Sequence, residues 1–223
     1  MFINADFRQP AVVIPRADAW VHSPESGVDR LMLDRIGEEV ARATSLVRYA
    51  PASSFPRHTH GKGEEFLVLE GVFSDESGDY PAGSYVRNPP GSSHSPFSKS
   101  GGRIFVKLRQ FDDNDLRPLV VDTFDDAVWQ QGAGTLHLHR FGTEAVMMQR
   151  LRAGQEIALD PRSQGTEILI AGGSLRGPNG DYPTESWLRF PPGFTATLEA
   201  AEPSLLWIKT GHLADRVSGQ PDV

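Results

Sequence analysis

The chain has 223 residues, enough for a sizeable core in one large domain or two small ones. Its net charge of −7 excludes the basic footprint of a nucleic-acid binder and makes an anionic membrane surface an equally poor partner. It contains no cysteine, so disulfides, thiolate metal sites and cysteine nucleophiles are excluded.

Twenty-two glycines and 17 prolines suit a turn-rich β protein better than a helical one. The N-terminal stretch "MFINADFRQPAVVIPRADAW" lacks a basic segment followed by an apolar core, so no signal peptide is expected there. No apolar run approaches the ~18 residues that span a bilayer, and the expected location is the cytoplasm. Further along, "TSLVRYA" at 44–50, "EEFLVLEGVF" at 64–73, "SYVRN" at 84–88 and "RIFVKLRQF" at 103–111 read as strands. Clusters of Gly, Pro, Asp and Ser separate them, which predicts a sandwich or barrel. "EEVARA" at 38–43 has helical composition but reads as a strand end beside its shorter counterpart "TEAV". The run "FLVL" at 66–69 is apolar on both faces, which predicts burial on both sides, against the other half of the chain or in a homodimer.

The chain repeats itself. "GDYP" occurs at 78–81 and 180–183, and "PPG" at 89–91 and 191–193, both at a 102-residue offset. In that register residues 45–107 align without a gap on 147–209. Arg48 falls on Arg150, Gly63 on Gly165, Glu65 on Glu167, Arg87 on Arg189 and Lys107 on Lys209. Trp20 and Trp129 head the two copies, and "RIG" at 35–37 faces "RFG" at 140–142. Two domains are expected, 1–112 and 113–223, joined in the acidic segment "DDNDLRP".

The most chemically loaded stretch is "HTHGKGEE", 58–65. On a strand His58 and His60 share a face, and neutral imidazoles so spaced can bind one divalent cation. Glu64 opens the next strand after a short loop and can return a carboxylate to that side. A fourth ligand has to come from elsewhere, and His94 sits in a second patterned segment, "GSYVRNPPGSSH", 83–94.

These residues resemble the two motifs of the cupins, a superfamily of double-sheet jelly-roll barrels. The first, G-x5-H-x-H-x3-4-E-x6-G, is met by His58, His60, Glu64 and Gly71 but has Ala52 at its opening glycine. The second, G-x5-P-x-G-x2-H-x3-N, is met by Gly83, Pro89, Gly91 and His94 but ends in Ser98. More narrowly the stretch resembles the ChrR-type cupins, the barrel half of zinc-dependent anti-sigma factors. The resemblance covers each repeat and implies an all-β chain of two tandem cupin barrels. It also implies a metal held by His58, His60, Glu64 and His94. Zinc is the implied ion, and these ligand types also suit iron, manganese, nickel or copper.

The second repeat lacks all four ligands. Asp160, Arg162, Thr166 and Ala196 stand where His58, His60, Glu64 and His94 stand in the first. The second barrel is therefore expected to be metal-free, with Arg162 bringing a cation to the metal's place and a surface pair with Asp160 as the duller outcome. Glu65, whose counterpart Glu167 persists without a metal, reads as framework. "HLHRFGTE" at 137–144 imitates the first motif, but Leu136 and Leu138 take the core-facing places there, which leaves His137 and His139 outward. His22 and His212 have no partners by spacing.

Three classes of function remain. A regulatory or sensory module would admit a small ligand to the N-terminal barrel. A metal-dependent dioxygenase would bind O2 or a chelating substrate at the open positions of the ion, and a degenerate barrel would serve as a scaffold. ChrR-type regulators bind their sigma factor through a cysteine-containing zinc domain, so the cysteine-free sequence does not support a sigma-factor partner. For an enzyme, no catalytic residue is identified. Tyr49, Tyr85, Arg48 and Arg87 lie on strands near the site, and recurrence of the two arginines as Arg150 and Arg189 favours structural roles.

Overall fold

A computed structural model describes residues 1–129 and 134–213, so the last ten residues of the expected second domain lie outside the described residues. Strands carry the fold, and the helical elements among the described residues are two 3-10 turns, Ala17–Ala19 and Asp126–Val128. The segment 38–41 is bent and leads into a strand at Arg42. No described helix is long and apolar enough to cross a membrane.

The contacts divide the chain into two compact units, but not by a single cut near 112. The first holds residues 1–3 and 16–125, the second 4–15 and 126–223. The reason lies in strand pairing. Leu119–Asp122, at the head of the second repeat, pairs antiparallel with Ser84–Asn88 in the first unit. Ala11–Val13, at the head of the first repeat, pairs with Trp187–Phe190 in the second.

In the first unit the sheet runs Phe2–Ile3, Val28–Ile36, Arg42–Tyr49, Gly102–Leu108, Glu64–Asp75, Ser84–Asn88, Leu119–Asp122. In the second it runs Thr135–Phe141, Glu144–Leu151, Ser204–Thr210, Thr166–Gly172, Trp187–Phe190, Ala11–Val13. The two orders correspond strand for strand apart from the additional edge strand Phe2–Ile3. The register corresponds as well: Lys107 faces Glu65 as Lys209 faces Glu167. The first core gathers Val47, Phe66, Val68, Phe73, Val86, Ile104 and Val106. The second gathers Ile168, Ile170, Leu188, Leu198, Leu206 and Ile208. Phe66, Leu67 and Val68 are all buried, so this strand is covered on both faces.

The framework residues shared by the repeats have structural partners. Glu65 is buried and accepts from the Tyr85 hydroxyl at 2.6 Å and from Arg87 at 2.9 Å. Arg87 also reaches Asp115 at 2.6 Å and lies over the Phe111 ring. Arg48 bonds Asp29 at 2.7 Å and stacks on Trp20, while Arg150 bonds Asp126 and stacks on Trp129. Each repeat thus uses the same Arg on its heading Trp.

Three expectations for histidines fail, one drawn from strand periodicity and two from spacing. His139 is buried, because a bulge between His137 and His139 puts Leu138 and His139 both inside. The first unit has the same bulge between Met32 and Asp34, where Leu33 and Asp34 are buried. His212, without a partner by spacing, lies 2.9 Å from the Glu167 carboxylate. His22 is paired with Asp29.

Candidate metal centre

The strand His58–Thr59 lies antiparallel to Ser93–His94, with His94 directly opposite His58. The "PPG" turn fixes that pairing: Gly91, at φ +85°, donates to the His60 carbonyl at 2.8 Å, and His60 donates to the Ser92 carbonyl at 2.9 Å. Gly63 makes the following corner at φ +72°, where a Cβ would fall within 2.4 Å of the Phe111 ring. Glu64 follows at the start of the strand Glu64–Asp75.

These elements bring His58, His60, Glu64 and His94 together, with one ligand atom from each within 4.8 Å of the others. The three imidazole centroids are 4.7 to 5.1 Å apart. Nε2 of His60 and Nε2 of His94 each lie 3.5 Å from Glu64 Oε1. His60, Glu64 and His94 are buried and His58 is half-buried.

The surrounding shell fixes the tautomers. His58 Nδ1 lies 3.0 Å from the Pro56 carbonyl and His94 Nδ1 lies 3.0 Å from Asp75 Oδ2, both acceptors only. His60 Nδ1 lies 2.9 Å from Ser92 Oγ, whose own proton goes to the Pro89 carbonyl at 2.6 Å. Ser92 therefore accepts from His60. All three rings carry their proton on Nδ1 and present a bare Nε2 to the cluster, the arrangement that metal-binding histidines require. The buried Nε2 atoms of His60 and His94 have no hydrogen-bond partner among the described residues. Burial holds the His60 pKa below its ordinary value, so the neutral, ligating form prevails. Asn88 Nδ2 donates to Glu64 Oε1 at 3.1 Å and steadies the carboxylate. The donor set fits one divalent ion.

The two motifs point to the four residues that the structure brings together but not to Asp75, Asn88 and Ser92. The repeat carries the signal that finds them. At the same offset they become Gly177, Phe190 and Phe194, so these polar groups vanish together with the ligands they hold. Asp75 reaches His94 because its strand leaves the main sheet at Gly71, at φ +72°, and pairs with Gly78–Pro81. The two departures from the motifs are also explained. Ala52 keeps the left-handed backbone of the glycine it replaces, at φ +60°, and its counterpart is Gly154 at φ +76°. Ser98 is buried and donates to the Val72 carbonyl at 2.6 Å.

A cavity of about 300 Å³ opens beside the cluster and is lined by Val47, Tyr49, Phe73, Ile104 and Val106 together with the ligands. Of the four residues weighed for catalysis, Tyr49 alone lines it. Burial, with the Glu64 charge second, pushes the Tyr49 pKa up, so its phenol keeps its proton.

At the same place the second unit is largely apolar, with Thr166 in the place of Glu64 bonded to Ser163 at 3.0 Å. Ile157, Leu159, Phe190, Phe194 and Ala196 belong to one cluster, with the Phe190 and Phe194 rings stacked at 5.0 Å. Arg162 brings no cation there: its side chain is 90% exposed and bonds Asp160 at 3.2 Å on the surface.

Residues 8–112 match the family model of the ChrR cupin-like domain. No curated protein matches the chain by sequence. Among solved structures, YlbA from E. coli superposes with a TM-score of 0.70 at 13% identity, over 95% of this chain and 95% of that one. The bacterial pirin YhhW from Escherichia coli, solved with nickel(II), gives 0.64 at 13% identity, over 89% and 98%. A variant of the salicylate 1,2-dioxygenase from Pseudoaminobacter salicylatoxidans gives 0.55 at 13% identity, over 76% and 71%. At such identities the likeness is one of fold, and the fold is cupin-like.

Proposed function

We propose, from the match of residues 8–112 to the ChrR cupin-like family model, that the protein is a bicupin with one metal ion, in its N-terminal barrel. The observation that carries this reading is the set of three bare Nε2 atoms and one carboxylate converging in a buried site. His58, His60, Glu64 and His94 would hold the ion, and Asp75, Ser92 and Asn88 would orient them. The ion would supply a Lewis-acidic centre beside the cavity. The C-terminal barrel, with phenylalanines in that place, is a structural or docking half.

A small molecule entering the cavity and changing the metal's surroundings gives a sensory or regulatory module. The placement of the candidate groups supports this over catalysis: Glu64 is assigned to the ion, Tyr49 stays protonated, Arg48, Arg87 and Tyr85 are engaged elsewhere, and Glu39, the other carboxylate on the cavity wall, is exposed. The likeness in fold to a salicylate 1,2-dioxygenase favours a second reading, a metal-dependent dioxygenase acting on a small chelating substrate. Elemental analysis of protein purified without added metal separates the two. Stoichiometric zinc supports the regulator. Iron, manganese or copper together with O2 consumption supports the oxygenase.

A further inference from the structure

We infer that the cavity beside the candidate metal centre takes a small organic carboxylate, whose anionic group is bound by Arg30 and Arg109. The inference deepens the metal reading above and rests on it for the ligand's other end.

Both arginines line the same cavity as His58, His60, Glu64 and His94. Both are half-buried, and among the described residues neither guanidinium has an acidic partner. Arg30 lies 5.8 Å from the Phe55 ring, and Phe55 packs edge-on against His58 with centroids 5.4 Å apart. The Arg109 guanidinium lies over Gly61, close enough that a Cβ there would fall 2.6 Å from its Nη1. One cation thus stands over Phe55, the ring that packs on His58, and the other beside the loop that follows His60. Most other arginines in the first unit pair with an acid, as Arg48 does with Asp29, Arg57 with Glu76, Arg87 with Glu65 and Arg103 with Glu70. A half-buried, unpaired guanidinium on a cavity wall presents a planar donor fork that matches a carboxylate.

The backbone of Arg109 gives an independent sign. It sits at φ +59°, in the left-handed region that disfavours side chains, and its counterpart in the ligandless repeat is Gly211 at φ +77°. The first unit holds a strained arginine at a position where glycine relieves the strain, as functional sites do. Arg30 has no counterpart either: in the register that sets "RIG" on "RFG", Thr135 stands there. Arg35, a third cation on the wall, donates to the Glu38 carbonyl, and burial together with neighbouring Arg30 holds its pKa down. Glu39, the acid on this lining besides Glu64, is exposed. In a chain of net charge −7 this concentration of positive charge is local. The volume, near the lower end of small-molecule pockets, limits the ligand to a small one.

The test is titration calorimetry with matched probes, succinate against succinamide and benzoate against benzamide, on metal-loaded and on chelator-stripped protein. At least one acid is expected to bind ten times or more tighter than its amide, and to weaken as salt rises. Arg30→Gln and Arg109→Gln should each lower that affinity about tenfold, with metal content unchanged in elemental analysis of the same samples. Arg109→Gly should raise thermal stability while lowering affinity, which a purely structural arginine would not do. Absence of binding, equal binding of acid and amide, or full affinity in both glutamine variants overturns the inference. Failure of the metal reading shows separately, as absent metal in the unmodified chain, and leaves the comparison of acid with amide standing in the stripped protein.

Discussion

The pocket of His58, His60, Glu64 and His94 and the corresponding place in the second unit are two solutions to one problem of burial. In the first unit each buried imidazole is tied through Nδ1, and its Nε2 is left facing a carboxylate. In the second, Ile157, Leu159, Phe190, Phe194 and Ala196 close the same place with apolar contact. The ligands and the residues that orient them differ together, Asp75 against Gly177 and Ser92 against Phe194. Asp75 Oδ2, Ser92 Oγ and Asn88 Nδ2 each bond one of the four candidate ligands, which ties the supports to the residues they orient. The candidate site in this chain thus comprises about seven residues, and the second unit has apolar side chains in the place of most of them.

Moving the first unit's residue into the second should have the largest effect. Phe190→Asn removes a stacked ring from the apolar cluster and leaves a buried amide, at a cost of about 3–5 kcal/mol in denaturant unfolding. A change under about 1 kcal/mol would mean that the ring does not fill the place as described. Asp75→Ala comes next. It removes the acceptor that fixes His94, and metal affinity measured by chelator competition should fall about 10–100-fold with all four ligands intact. Unchanged affinity would reduce Asp75 to a turn residue. The smallest effect concerns the backbone common to both units. Ala52→Gly restores the residue that Gly154 supplies in the second repeat and should raise stability by about 0.5–1 kcal/mol, read from the unfolding midpoint. A loss would show that the Ala52 methyl contributes contacts that outweigh its strain.

Much of this was legible in the sequence because the repeat acted as an internal control. It separated Glu65, present in both copies, from Glu64, present in one, and the structure has Glu65 on Tyr85 and Arg87, away from the cluster. It also points to structural roles for Arg48 and Arg150, which stack on Trp20 and Trp129. Other features were hidden for physical reasons. A single bulge reversed the face of His139, since alternation holds only while every residue advances the pleat. The surface pair of Arg162 with Asp160, two residues back, is the commoner of the two outcomes that the sequence offered for these residues. Glu167 and His212 meet across 45 residues, and the strands Ala11–Val13 and Leu119–Asp122 pair outside their own repeats. Such partners follow from topology rather than from spacing.

The contrast between the two units is tested most directly by counting metal. The protein purified without added metal should carry one divalent ion per chain. His58→Ala and His94→Ala should each lose it, and Asp160→Ala in the second unit should retain it. An unmodified chain with no stoichiometric metal, two ions per chain, or unchanged metal in both histidine variants would contradict the account.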